Sequence, residues 1–196
     1  MTALFTSYYC TNTVNQYTAT DNDHPDCPSP TESFSYDNDG NLTADGTYTY
    51  EWDGENRLVK VQTRLDLGND PDDPDENDKK LEFKYDYLGR RVEKKYSVYT
   101  SGNWAVQTGG WQRFVYDDWN VALVLSAADS NAVVKKYTWG LDLSGQSGSG
   151  RTVDGLHGAG GIGGLLAAVE TGGTYAGTYW FLYDGNGNVG QVLDAT

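Results

Sequence analysis

Gly158, Gly160 and Gly163 carry the G-x-G-x-x-G spacing that cradles a dinucleotide pyrophosphate. That chemistry needs a strand before the glycines, a helix after them and an acidic residue about twenty positions on. A Ser/Gly-rich stretch precedes the motif here and no βαβ pattern surrounds it. The glycines therefore read as a loop, and no cofactor is expected. Two acidic stretches raise calcium: "DNDG" from Asp37, and residues 69–78. An EF-hand loop places its glycine sixth and a bidentate glutamate twelfth. In "DNDGNLTADGTY" Gly40 comes too early and the last position is a tyrosine; "DGNGNVGQVLDA" from Asp184 also fails. His24 lies just upstream of Cys27, but a structural zinc site needs four ligands, and His157 is the only other histidine. Serine, histidine and aspartate are all present, yet there is no nucleophile elbow. No catalytic constellation and no metal site is expected. The remaining candidates are aromatic. Trp104, Trp111 and Trp119 lie close in sequence. Flat rings near Asp and Asn suit the faces of pyranose sugars. The competing expectation is that they pack within a thin sheet.

The feature that recurs is a turn. "YDNDGNL" from Tyr36, "YDYLGRRV" from Tyr85 and "YDGNGNV" from Tyr183 are clear copies. "WDGENRLV" from Trp52 replaces Tyr by Trp and moves the glycine forward. "YDDWNVAL" from Tyr116 places Asn120 where the glycine belongs. "YTWGLDLSG" from Tyr137 is fainter. The spacings are uneven, which excludes a solenoid of fixed period and suits hairpins of different lengths. In this frame Tyr36, Trp52, Tyr85, Tyr116 and Tyr183 end strands, where aromatics pack well on a pleated surface. Asp37, Asp53, Asp86, Asp117 and Asp184 bond backbone N–H groups two residues on. Gly40, Gly89 and Gly187 supply positive φ for a type I turn closed by a bulge.

The flanking residues agree with strands. In "KLEFKYD" Leu81, Phe83 and Tyr85 share one face, with Glu82 and Lys84 on the other. "TYTYEW", "RLVKVQT", "WQRFVYD", "VALVLS", "AVVKKYTW" and "TYWFLYD" read the same way, giving roughly a dozen strands in antiparallel hairpins. "GGLLAAVE" near Leu165 is the one candidate helical turn, but its flanking glycines favour strand or irregular chain. The expected organisation has four parts. Residues 1–31 form an N-terminal arm and 32–143 a β-sheet with an acidic hairpin loop at 68–79. Residues 144–164 form a Gly/Ser-rich loop, and 165–196 a last hairpin.

The chain has 196 residues with 15 Tyr, 6 Trp, 24 Gly and 5 Pro, a turn-rich β composition. Net charge is -14, which repels phosphate backbones and anionic membranes. No nucleic-acid partner is expected. No run of ~18 apolar residues offers a transmembrane helix, and no signal peptide is visible at the start. Cys10 and Cys27 could be bonded or free; two cysteines define no framework.

These segments in this order resemble the Rhs/YD-repeat family: bacterial Rhs and wall-associated proteins, the C subunits of Tc toxins, and teneurins. The resemblance rests on "NQYT", "SYDNDGNLTADGTYTYEWDGENRLVKV", "KYDYLGRRVEKK", "RFVYDDWNVALVL", "YTWGLDLSGQ", "GAGGIGGLLA" and "YDGNGNVGQVLD". It implies an all-β segment of a spiralling, shell-like sheet, without catalysis of its own. Its partners would be the remaining repeats and an enclosed C-terminal toxin, in a secreted or cell-surface protein. A carbohydrate-binding or adhesion role through Trp104, Trp111 and Trp119 is the alternative. The family's D-P-x-G self-cleavage motif has no counterpart here, so autoproteolysis and toxicity are not implied. The expectation is a truncated segment that stops before the Rhs core signature.

Overall fold

A computed structural model describes residues 6–65, 74–145 and 162–195. The described residues contain fifteen strands and no α-helix. β1 (Tyr8–Thr11), β2 (Tyr17–Asp21) and β3 (Glu32–Ser33) form a three-stranded antiparallel sheet. Twelve strands form a second sheet in which sequence neighbours are spatial neighbours. They are β4 (Ser35–Tyr36), β5 (Leu42–Ala44), β6 (Tyr48–Trp52), β7 (Leu58–Thr63), β8 (Lys79–Tyr85) and β9 (Arg91–Thr100), followed by β10 (Asn103–Asp117), β11 (Asn120–Ser126), β12 (Ala132–Trp139), β13 (Leu165–Glu170), β14 (Gly177–Tyr183) and β15 (Val189–Asp194). The all-β, antiparallel-hairpin class expected from sequence is what the chain adopts. "LLAAVE" is strand β13. Part of the acidic loop (66–73) and most of the Gly/Ser-rich loop (146–161, with His157, Gly158 and Gly160) lie outside the described residues.

Contacts divide the chain into two units. The first comprises Met1–Phe83 with Lys95–Gln107. Here Glu51 and Lys60 face each other across β6 and β7 and form an ion pair, the cross-strand pairing that stabilises sheets. Asp45 holds the β5–β6 connection: its carboxylate accepts Thr47 N–H at 2.7 Å, Tyr48 N–H at 2.6 Å and the Tyr50 hydroxyl at 2.5 Å. Glu32 of β3 reaches this connection and accepts Gly46 N–H at 3.0 Å.

The second unit comprises Lys84–Lys94 with Thr108–Thr196. Glu93 is buried between Lys84, at 2.8 Å, and Arg113, at 3.0 Å. Ala168 is opposite Tyr137 on β12 and Tyr179 on β14. A small residue between two tyrosines lets the rings close over it, and Ala168 is buried.

Among the described residues the buried apolar side chains are Ala19, Val124, Ala167 and Ala168, none larger than valine. Most strand tyrosines and tryptophans instead lie half-buried, each with an apolar ring and a polar tip. Backbone pairing, turn chemistry and cross-strand contacts thus carry structure that a packed interior carries in most domains.

Cys10 and Cys27 are joined in a disulfide, which settles the alternative left open by the sequence. It ties β1 to the loop after β2, where buried Asp21 accepts Asp23 N–H at 2.8 Å and His24 N–H at 3.2 Å. Closing a loop of this length constrains the unfolded chain by about 3 kcal/mol. Reduction, or paired Cys10→Ser and Cys27→Ser substitution, is expected to lower hydrogen-exchange protection of β1 and β2 by up to about that amount. Protection of β6 and β7 should stay unchanged; equal loss in both places would show that the disulfide supports more than its own sheet.

Candidate functional site

The repeated turn begins with an aspartate that bonds its own backbone. In the turn from Asp37, the Asp37 N–H donates to Asn41 O at 2.9 Å and Gly40 N–H to Asp37 O at 3.2 Å. Gly40 has φ of 87°. This is a type I turn closed by a left-handed residue at a bulge. The carboxylate fills the turn from the side: Oδ1 accepts Asp39 N–H at 3.0 Å and Asn41 N–H at 2.8 Å. The Asn41 side-chain amide donates to Oδ2 at 3.0 Å. Three further turns repeat all five contacts, from Asp53 to Arg57, Asp86 to Arg90 and Asp184 to Asn188. Gly89 and Gly187 carry φ of 80°.

The residue four after the aspartate is thus a turn partner as well as the start of the return strand. Its side chain clamps the carboxylate in every copy, an amide in two turns and a guanidinium in two. The sequence reading missed this role, although an acid followed by Asn or Arg four residues on recurs visibly. It also missed a fifth copy. Asn12 replaces the aspartate, Asn15 (φ 63°) replaces the glycine, and Gln16 completes the contacts. Asp142 starts a similar turn, with Gly145 at φ 73°.

Two expectations are corrected. In the turn after Trp52 the left-handed residue is Asn56 (φ 58°), in the usual place, so the earlier Gly54 does not supply the bend. In the turn after Tyr116 the left-handed residue is Asp118 (φ 54°), and Asn120 already pairs with Asp117 in the ladder. A two-residue connection needs its positive φ inside the loop, which moves it ahead of Asn120.

The aromatic before five of the turns sits at a slip in register. Pairing shifts by one at Tyr36, Trp52, Tyr116, Trp139 and Tyr183. The polar tips then reach the preceding strand. Trp52 Nε1 donates to Leu42 O at 2.7 Å, the Tyr116 hydroxyl to Arg91 O at 2.9 Å, Trp139 Nε1 to Val121 O at 2.8 Å and the Tyr183 hydroxyl to Leu165 O at 2.7 Å. Leu42, Arg91 and Leu165 open their strands, and Val121 is the second residue of β11. Burial holds the Tyr116 and Tyr183 hydroxyls above the ordinary tyrosine range, so they stay protonated donors.

A second tie joins successive turns. Gln16 Nε2 donates to Gly40 O at 3.5 Å, Asn41 Nδ2 to Asn56 Oδ1 at 2.8 Å, and Arg90 Nη1 to Asp118 O. In each case the fifth residue of one turn reaches the left-handed residue of the next. Arg90 also lies 5.1 Å from the centre of the Tyr116 ring.

Electrostatics follow from these contacts. The Asn41 and Asn188 amides, then backbone N–H groups, hold Asp37 and Asp184 below the usual carboxylate range. Desolvation works against the Asp53 and Asp86 carboxylates, but the bonds from Arg57 and Arg90 outweigh it and lower them too. Carboxylates with depressed folded-state pKa values stabilise the fold above the ordinary Asp range; that stability is lost as pH falls through the folded values.

The three tryptophans occupy separate settings. Lys80 Nζ lies 4.4 Å from the centre of the Trp104 ring and Tyr99 meets it edge-on. Arg113 lies 5.8 Å from the Trp111 ring centre. Trp119 is exposed at the Tyr116 turn. Among the described residues no three metal-ligating side chains converge. An apolar cleft lined by Phe114, Val121, Val124, Tyr137, Trp139 and Leu165 has a volume of about 290 Å³; no acid or base lines it.

Two substitutions separate backbone strain from crowding. A Cβ on Gly89 meets no atom within 4 Å, so Gly89→Ala costs only the left-handed backbone, about 1–2 kcal/mol. Gly89→Val costs more, and Gly89→Asn is nearly neutral because Asn56 fills the equivalent place. A Cβ on Gly187 would lie 2.5 Å from Ile162 Cγ2 and 2.7 Å from Leu143 Cδ1, so Gly187→Ala should cost more than Gly89→Ala in urea unfolding. Tyr116→Phe should cost about 1 kcal/mol by removing one tie. No loss would show that the ring alone matters.

No family model matches the chain. Over 109 residues, 56% of its length, the chain is 30% identical to the tRNA nuclease WapA of Bacillus subtilis (strain 168). The same identity and coverage relate it to the tRNA3(Ser)-specific nuclease WapA of Bacillus spizizenii and to the tRNA(Glu)-specific nuclease WapA of Bacillus subtilis subsp. natto. The matched stretch spans 4% of the length of each relative.

Proposed function

We propose that this chain is a non-catalytic scaffold segment of a longer wall-associated repeat protein. Its hairpins would continue edge to edge into a shell that encloses or presents a C-terminal toxin in bacterial competition. The observation that carries this is the near absence, among the described residues, of buried apolar side chains beside so many strands. A free-standing domain of this length normally buries a core of large residues. Repeat units that bury surface only against neighbours do not.

The similarity to a small part of far longer nucleases supports a segment rather than a complete enzyme. The tRNA nuclease activity in the relatives' names is not assigned to this segment, whose charge of -14 disfavours RNA. Glycan stacking is the weaker reading, since cations lie over the Trp104 and Trp111 rings.

The purified chain is expected to bind an apolar-surface dye and to associate with rising concentration in light scattering. It should leave tRNA intact. A strictly monomeric chain that binds no dye and unfolds in one cooperative step would overturn the scaffold role, as would cleavage of tRNA.

A further inference from the structure

Two neighbouring turns of the second unit carry side chains that their own geometry does not use. In the turn from Asp86, Tyr87 and Leu88 hold the two central positions, and only the backbone there is bonded, the Leu88 N–H donating to Asp86 Oδ1 at 2.9 Å. The same positions hold Asn38–Asp39, Gly54–Glu55 and Gly185–Asn186 in the other copies. Tyr87 is 89% exposed, and Leu88 is exposed beside it. The turn between β10 and β11 presents Trp119, 56% exposed. Arg90 Nη1 donates to Asp118 O and ties the two turns together. Two strand spacings separate the tips, about 10 Å. A lone exposed apolar residue is ordinary; three on adjacent tips form a patch. The shorter β10–β11 connection also frees Asp117. It holds the place of the turn aspartate, but it pairs with Asn120 in the ladder and the positive φ falls at Asp118. Among the described residues the carboxylates of Asp117 and Asp118 take no hydrogen bond and no ion pair. The cations nearby are engaged, Arg90 with Asp86 and Arg91 over the Phe114 ring. Other rings of the chain show what such a face takes: Lys80 lies over Trp104, Arg90 over Tyr116, Arg91 over Phe114 and Arg113 over Trp111, at 4.4 to 5.8 Å. Among the described residues no cation lies over Tyr87 or Trp119.

We propose that these two turn tips dock a basic segment of another protein. Its Lys or Arg side chains stack on Trp119 and Tyr87 and pair with Asp117 and Asp118, and their aliphatic stems cover Leu88. Charge selects the occupant. The chain carries -14, which steers a cationic segment toward it. The same tips of a second copy would bring like carboxylates together. An exposed aromatic gains most from a cation when the pair is desolvated, and Trp and Tyr are the residue types that most often anchor interfaces. The tips lie at strand ends, so a partner seated there leaves the sheet edges free. The site thus goes beyond the scaffold role and does not depend on it.

The probe is a short synthetic peptide of alternating arginine and glycine, titrated into the isotope-labelled full chain at low salt. Expected are shifts of the Trp119 indole N–H and of the Tyr87, Leu88 and Asp118 amides ahead of all other signals. Trp119→Ala should weaken binding about two- to fivefold, the value of one exposed cation–π contact, and Trp119→Phe should keep most of it. Asp117→Asn should weaken binding about twofold. Asp129→Asn removes the same charge at the β11–β12 connection and should leave binding unchanged. Thermal melts confirm that each variant is folded. Shifts spread evenly over the acidic surface, equal loss in Asp117→Asn and Asp129→Asn, or no binding overturns the proposal. So do shifts of the tip signals by neutral phosphatidylcholine vesicles or by a neutral oligosaccharide but not by the peptide, because the tips then belong to a lipid surface or a glycan. Self-association that Trp119→Ala abolishes also overturns it, because the tips then belong to a second copy. The scaffold role fails on its own dye-binding, light-scattering and tRNA tests.

Discussion

A single carboxylate or side-chain amide, folded back on its own turn, governs how this chain is organised. Each turn leaves backbone N–H groups pointing at one small concavity, and an unpaired backbone donor is costly. The aspartate fills that space with an acceptor and its partner four residues on locks it there. Asp37, Asp53, Asp86 and Asp184 do this with one geometry, and Asn12 does it without charge. Register follows, because the left-handed residue and the slip at the preceding aromatic fix which strand residues face each other.

From that anchor the structure extends by ties rather than by a core. The aromatic tip bonds the preceding return strand, and the clamp residue bonds the next turn. Both join strands or turns that follow one another along the chain, between residues well separated in sequence. A sheet built this way needs few large buried side chains, which suits the composition: many tyrosines and glycines, few long aliphatics at buried positions. It also leaves polar, strongly acidic surfaces that keep such sheets from pairing at random.

What the sequence revealed was what is local. The Tyr-Asp-x-x-Gly copies at Tyr36, Tyr85 and Tyr183 were readable because turn residues act within five positions. The turn at Asn12 was missed because neither its aspartate nor its glycine is present; asparagines do both jobs. Asp118 was missed because a shorter connection places positive φ earlier. The bonds from Trp52 to Leu42 and from Trp139 to Val121 join residues that lie far apart in sequence, and no local pattern announces them. The disulfide stayed open at the sequence level for the same reason: only the loop after β2 brings Cys27 to Cys10. Proximity in sequence grouped Trp104, Trp111 and Trp119, although each has its own surroundings.

The central claim is that the turn carboxylates, as anions, hold the hairpins. Carboxyl-carbon NMR across a pH titration tests it most directly, read together with the amides of Asp39, Asn41, Leu88, Arg90, Asn186 and Asn188. The account predicts that Asp37, Asp53, Asp86 and Asp184 all titrate below the ordinary aspartate range, and that these amides shift with their own aspartate's midpoint. Turn aspartates that titrate in the ordinary range, with amides that do not respond, would contradict it.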